Sequence, residues 1–89
     1  MTLEEFEKLK FRFVYHMNYA SVHTTEYADE SGRLGYCIHT HIKKNFETGR
    51  SYIHYRIDSK VYKTKEKFVE ALAEFSFNEI PMYPKAMKG

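Results

Sequence analysis

The chain has 89 residues, of which 43% are hydrophobic and 29% charged, and its formal net charge is +2. This composition is typical of a single small globular domain over residues 1–89, and it excludes a low-complexity or disordered chain. One cysteine excludes an internal disulfide, and no apolar run approaches the roughly 18–20 residues of a membrane helix.

The first predicted helix covers residues 3–10. Thr2 and Glu5 have the spacing of a capping box, in which each side chain accepts a hydrogen bond from a backbone N–H at the helix start. Apolar residues then recur at helical spacing. This acidic amino terminus lacks the apolar stretch of a signal peptide, so we expect it to be the start of a cytoplasmic protein.

A period of two begins at residue 11 and predicts the first strand. The run FRFVYHMNYASVHTTEY, residues 11–27, is rich in aromatic and β-branched residues. We expect one long strand with a bulge or bend near Ala20–Ser21. Its alternation groups Phe11, Phe13, Tyr15, Met17 and Tyr19 on one face. The turn ADESGR follows, with Gly32 at positive φ.

Two further strands are predicted at LGYCIHTHIK, residues 34–43, and RSYIHYRID, residues 50–58. The segment KNFETG joins them, with Gly49 as the expected left-handed residue. Apolar side chains alternate with polar ones in both strands. The expected inner face is Leu34, Tyr36, Ile38, Ile42, Ile53, Tyr55 and Ile57. The expected outer face is Cys37, His39, His41, Lys43, Tyr52, His54 and Arg56.

A second helix is predicted from Thr64, as N-cap, to Phe77, and two prolines make residues 78–89 an irregular tail. The predicted order is α-β-β-β-α. We therefore expect an α+β fold, a three-stranded antiparallel sheet with two helices packed on one face. The other face of the sheet is left to water or to a partner.

The outer face carries polar rings. If KNFETG closes a hairpin, His39 lies opposite His54 and His41 lies opposite Tyr52. Three imidazoles suit a catalytic zinc, but the neighbouring Lys and Arg side chains repel a cation, and we expect no metal. Histidine with Arg, Lys and Tyr is the set that acid–base cleavage of RNA uses. Exposed Tyr and Arg are also typical of a binding interface.

Positive charge is concentrated in residues 33–67, which hold nine Lys or Arg against three acids, a net +6. Such segregation predicts a basic surface that attracts anionic partners. Four lysines, Lys60, Lys63, Lys65 and Lys67, surround the start of the second helix. Because a helix start carries partial positive charge, lysines there conflict with the local preference and indicate an anion site.

The order α-β-β-β-α, with Lys63, Lys65 and Lys67 at the start of the last helix, resembles the double-stranded RNA-binding domain over roughly residues 3–77. The resemblance implies nucleic-acid binding through those lysines. The loop ADESGR has two acids where that family carries a Gly-Pro-x-His motif, so the chain is not assigned to the family.

The leading hypothesis is a small non-catalytic cytoplasmic binding protein that docks onto an acidic or nucleic-acid-associated protein partner. Small domains without motifs are common among phage and mobile-element inhibitors, so an inhibitor is one form of this hypothesis. The alternatives are a nucleic-acid-binding protein that uses residues 33–67 and a small metal-independent RNase. We expect no cofactor and no membrane contact, and a homodimer is possible at a free strand edge. The predicted partner-binding residues are His39, His41, Lys43, Tyr52, His54, Arg56, Lys60, Lys63, Lys65 and Lys67.

Overall fold

A computed structural model of the chain describes residues 1–45 and 47–78. Its elements, in chain order, are α1 (Leu3–Glu7), β1 (Phe11–Tyr19), β2 (Val22–Asp29), β3 (Leu34–Ile42), β4 (Thr48–Ile57), β5 (Lys60–Tyr62) and α2 (Lys65–Leu72). The strands form an antiparallel sheet in the order β1-β2-β3-β4-β5. Each strand therefore pairs with the next one along the chain.

The prediction of a three-stranded sheet is wrong, although the fold remains α+β. Residues 11–27 form two strands of a hairpin, with Tyr19 opposite Val22. The two residues between them make a tight turn in which Ala20 has φ 55. An alanine at positive φ carries no turn signal, because glycine, asparagine or aspartate normally takes that position. The bend expected at Ala20–Ser21 is thus a full chain reversal, and the order of the double-stranded RNA-binding domain does not hold.

The fifth strand is the other element absent from the prediction. Ile57 lies opposite Lys60 across a two-residue turn whose first residue, Asp58, has φ 52. Aspartate tolerates this left-handed region better than most residues. The prediction assigned no element to KVY and treated Lys60 only as one of the lysines around the start of the second helix. Three residues are too few to show a period of two.

A bulge in β1 changes which side chains share a face. Phe13 lies opposite Tyr27, but Tyr15 lies opposite Glu26, so Val14 is an extra residue in the strand. The predicted grouping of residues 11–19 on one face is therefore wrong, because a one-residue insertion inverts every later side chain.

Both helices begin as predicted and end earlier. The capping box of Thr2 and Glu5 is confirmed, and Thr64 accepts a hydrogen bond from the backbone N–H of Lys67. Gly32 has the predicted positive φ of 79. Gly49, expected in a turn, lies inside β4. The predicted tail, apart from residue 78, lies outside the described residues.

The helices pack on one face of the sheet, near the end where β3 begins. Phe6 of α1 and Phe68 of α2 are buried there, with ring centroids 4.9 Å apart. Phe68 also stacks on Tyr55 of β4 at 4.5 Å. The buried cluster is completed by Leu34, Ile57, Leu72 and Phe75. Within residues 1–45 and 47–78, neither helix is long and apolar enough to span a membrane.

Candidate functional site

The face of the sheet opposite the helices is the candidate site, and we name it the open face. Directly paired residues point to the same side of a sheet, so the strand register assigns its members. They are Arg12, Tyr15, Met17, Tyr19, Val22, Thr24, Glu26, Ala28, Gly35, Cys37, His39, His41, Tyr52, His54, Arg56 and Val61. The sequence assigned His39, His41, His54, Tyr52 and Arg56 to this face correctly.

Four polar rings form a cluster near the middle of the open face. Tyr52 lies opposite His39 and stacks on it, with ring centroids 5.0 Å apart and an interplanar angle of 24°. His54 lies 4.5 Å from His39, and His41 lies 5.7 Å from Tyr52. We call these four residues the ring cluster. The predicted pairing of His39 with His54 is wrong by two residues, which leaves the face unchanged because the side-chain period is two.

His39 is the most enclosed member of the ring cluster. Its Nδ1 lies 2.8 Å from the hydroxyl of Thr24, and its Nε2 is inaccessible to solvent and has no hydrogen-bond partner. Partial burial, and then the neighbouring His54, lower the pKa of His39. The lowered pKa favours the neutral form of the His39 ring. This ring stacks against the ring of Tyr52.

An ion pair lies beside the ring cluster. Arg56 Nε is 3.4 Å from a carboxylate oxygen of Glu26, close enough for charge attraction but not aligned as a hydrogen bond. Arg56 Nη1 also donates to the carbonyls of Asp58, at 2.6 Å, and Gly32, at 3.2 Å. Arg56 therefore holds the turn after β4 against the turn before β3, in addition to any contact it makes with a partner.

Glu26 contributes, after burial, to the raised pKa values of two neighbouring side chains. The pKa of the Cys37 thiol is raised, mainly by burial and then by Glu26, and Arg56 only partly opposes this. The pKa of Tyr15 is raised by burial, by its hydrogen bond to Glu26 and by the negative charge of Glu26. Cys37 is thus held as the thiol, which is a poor nucleophile.

The predicted lysines do not join the ring cluster. Lys60 pairs with the buried Ile57 and so points to the helix side, where its Nζ lies 5.4 Å from the ring of Tyr62. A shallow groove between β5 and α2, which we name the lysine groove, is lined by Lys60, Val61, Tyr62, Lys63, Lys67, Glu70, Ala71 and Glu74. Lys65 is exposed in the first turn of α2, and Lys43 is exposed after β3. The predicted site therefore divides into two surfaces.

His39 is poorly placed to act as an acid or a base. A histidine acts as an acid or base only if a ring nitrogen can reach the substrate. In His39 one nitrogen is bonded to Thr24 and the other is covered. His39 is therefore shielded from a substrate, whereas His41 is exposed. Among residues 1–45 and 47–78, no group of three or more His, Cys, Asp or Glu side chains is arranged to hold a metal ion.

Sequence reasoning missed the part of the open face that β1 supplies. Tyr15, Met17 and Tyr19 are 40%, 49% and 80% exposed and extend the face to the edge of the sheet. The alternation of the segment contained this signal, but the bulge at Val14 reversed its assignment. Comparisons of the chain with protein-family models, with curated proteins and with solved structures find no match.

Proposed function

We propose that this chain is a small non-catalytic binding protein that docks a protein partner on its open face. The ring cluster is the observation that supports this most directly. It lies near the middle of a sheet face that neither described helix covers, and Tyr52 keeps 37% of its surface exposed. A tyrosine held in place by its neighbours offers a large contact area at a small cost in entropy, which is typical of binding hot spots.

The charges of the open face favour a protein over a nucleic acid. Arg56 is paired with Glu26, and His39 is held neutral. The lysines of the lysine groove lie on the helix side. A nucleic-acid strand stacked on the ring cluster, on the other side of the sheet, would therefore not contact them. Since phosphate contacts supply most of the affinity for nucleic acids, this separation weakens that alternative.

An acidic partner remains part of the proposal. The β5 edge is only three residues long, and Val61 on the open face adjoins Lys60 on the helix side. A partner that covers Tyr52 and extends past β5 would bring an acidic segment to the lysine groove. Charge pairs at such a rim speed association and orient the partner more than they add affinity.

The proposal includes a cytoplasmic location, since Cys37 is a free thiol and a reducing compartment preserves it. Binding alone would then be the activity. An inhibitor that covers a functional surface of its partner, as in phage and mobile-element systems, is the form of this activity that a domain of 89 residues can provide.

Affinity capture with matched variants tests the proposal. The chain is immobilised as wild type, as Tyr52→Ala with His41→Ala, and as a helix-side control outside the lysine groove, Glu4→Gln with Lys8→Gln, both exposed at α1. The capture is made from lysate before and after nuclease treatment. We expect one protein to bind the wild type and the control, and to bind the open-face variant at least about 10-fold more weakly, as for a hot-spot truncation.

Two results would contradict the proposal. One is a partner that the open-face variant retains and the helix-side control loses, which would move the site to the helix side of the sheet. The other is a nucleic acid that accounts for all captured material before nuclease treatment and is released steeply by salt, which is the behaviour of a phosphate-binding surface.

A further inference from the structure

The two edges of the sheet differ in a way that the proposed function does not use. β5 is three residues long and begins with a lysine, both of which discourage another strand from pairing with it. β1 is nine residues long, and Arg12 is its one residue among Lys, Arg, Asp and Glu. In the part of the chain that the structure describes, β1 pairs with β2 alone, so its outer row of N–H and C=O groups has no strand beside it.

Exposed apolar side chains are concentrated on the same edge. Among the described residues, ten large hydrophobic side chains are exposed, and five of them lie in β1: Phe13, Val14, Tyr15, Met17 and Tyr19. A long apolar edge strand is the feature that proteins otherwise blunt with lysine, proline or a covering element, because it templates pairing with another strand.

We propose that β1 is a dimerisation edge, on which β1 of a second copy of this chain pairs antiparallel about a two-fold axis at Met17. The resulting sheet would have ten strands, and each outer end would be a short β5 edge. Assembly would therefore stop at two copies, because the closed dimer exposes no second long edge.

The bulge at Val14 favours a two-fold axis at Met17, because Met17 is the centre of the uninterrupted part of the strand that follows the bulge. From Tyr15 to Tyr19 the strand alternates without interruption, with the odd residues on the open face and the even ones on the helix side. An axis at Met17 sets Tyr15 opposite Tyr19 of the second copy and His16 opposite Asn18, so every pair shares a face. An axis at Tyr15 would set Phe13 opposite Met17, and these two residues point to opposite faces of the sheet.

The charges and the exposed apolar area of β1 are also consistent with pairing to a second copy. Arg12 lies outside the stretch Tyr15–Tyr19, so this register places no like charges opposite each other. The exposed parts of the five apolar side chains amount to on the order of 500 Å² per copy at most, taking about 150–250 Å² for a large side chain. Two copies would then bury at most about 1,000 Å², which is the size of a weak or transient interface. We expect a dimer that dissociates in the micromolar range.

Light scattering of the full chain under reducing conditions tests the dimer. We expect the mass to rise from 10.7 kDa towards twice that value as the concentration increases. Met17→Lys puts two lysines opposite each other at the axis and should hold the mass at the monomer value. Val61→Lys is the matched control, since Val61 is 54% exposed on the opposite edge, and it should dimerise as the wild type does.

Cysteine cross-linking tests the register in a Cys37→Ser background. Met17→Cys should oxidise to a covalent dimer, because opposed Cα atoms lie about 4.5–5.5 Å apart, within the range of a disulfide. Tyr19→Cys should not, since its two copies would lie about 13 Å apart along the strands. A wild type that stays monomeric at 100 μM, a dimer that Met17→Lys retains, or efficient cross-linking through Tyr19→Cys would each overturn the proposal.

Discussion

Arg33 donates two hydrogen bonds to the carboxylate of Asp58, from Nε at 2.7 Å and from Nη2 at 3.0 Å. The same guanidinium donates to the carbonyl of Ser76 at 3.2 Å and lies 4.6 Å from the ring centroid of Phe75. One side chain thus joins the start of β3, the turn between β4 and β5, and the segment after α2. This link holds the two-residue turn, in which Asp58 has positive φ, in one conformation.

Removal of this link should destabilise the fold without unfolding it. We expect Arg33→Ala to lower the free energy of unfolding by about 2 kcal/mol, since bidentate charge-assisted bonds that are mostly shielded from water are stronger than surface pairs. Asp58→Asn keeps a residue that tolerates positive φ and should cost about 1 kcal/mol. Urea unfolding measures both, and the double variant should show coupling of at least about 0.5 kcal/mol. Arg50→Ala, an exposed control in β4, should change stability by less than about 0.5 kcal/mol.

The turn between β2 and β3 gives a second prediction. Asp29 is 3% exposed and accepts hydrogen bonds from the backbone N–H of Leu34, at 3.0 Å, and from the hydroxyl of Ser31, at 2.8 Å. Asp29→Ala should cost about 2–3 kcal/mol in unfolding free energy, because it leaves the buried N–H of Leu34 without an acceptor. Glu30→Ala, next to it and exposed, is the control. Equal melting temperatures for the two variants would show that water replaces the carboxylate.

Gly35 gives a third prediction, which connects the fold to the open face. A Cβ at this position would lie 2.5 Å from the backbone oxygen of Tyr27 and 2.8 Å from Nη2 of Arg56. Gly35→Ala should therefore cost about 1–3 kcal/mol and displace Arg56 from Glu26. Gly49→Ala is the matched control, since its nearest atom would be 3.2 Å away, and its effect should be smaller. Thermal unfolding and the amide chemical shifts around Glu26 would measure the two effects.

The open face shows how far sequence reasoning reaches here. The period of two assigned His39, His41, Tyr52 and His54 to one face, and this is confirmed. The period does not determine which residues of β3 and β4 lie opposite each other, because shifting the pairing by two residues leaves every side chain on the same face. The exact pairing depends on where β4 leaves β3 at its irregularity between Thr40 and Ile42, which the sequence does not mark.

The strand count failed for a related reason. Alternation continues smoothly through Ala20–Ser21, so the pattern is the same for one long strand and for a hairpin with an uncommon turn. The predicted basic surface divided because β5 and the start of α2 carry their lysines to the helix side. Net charge along a segment gives no information about which face each side chain takes.

The last prediction concerns acid. The pKa of His39 is lowered by burial and by His54, so the folded state binds fewer protons than the unfolded state around the ordinary histidine value of about 6.5. Stability should be full above this value and decrease as the pH falls through it towards the lower pKa of the folded state. His54→Gln removes the charge repulsion between the two rings, so it should raise the pKa of His39. The loss of stability between pH 7.5 and 5.5 should then be smaller. A proton NMR titration of the imidazole rings, with urea unfolding at pH 5.5 and 7.5, measures both effects. His23→Gln, on the helix side, should leave His39 unchanged, and a His39 that titrates at 6.5 or above in the wild type would contradict the account of its enclosure.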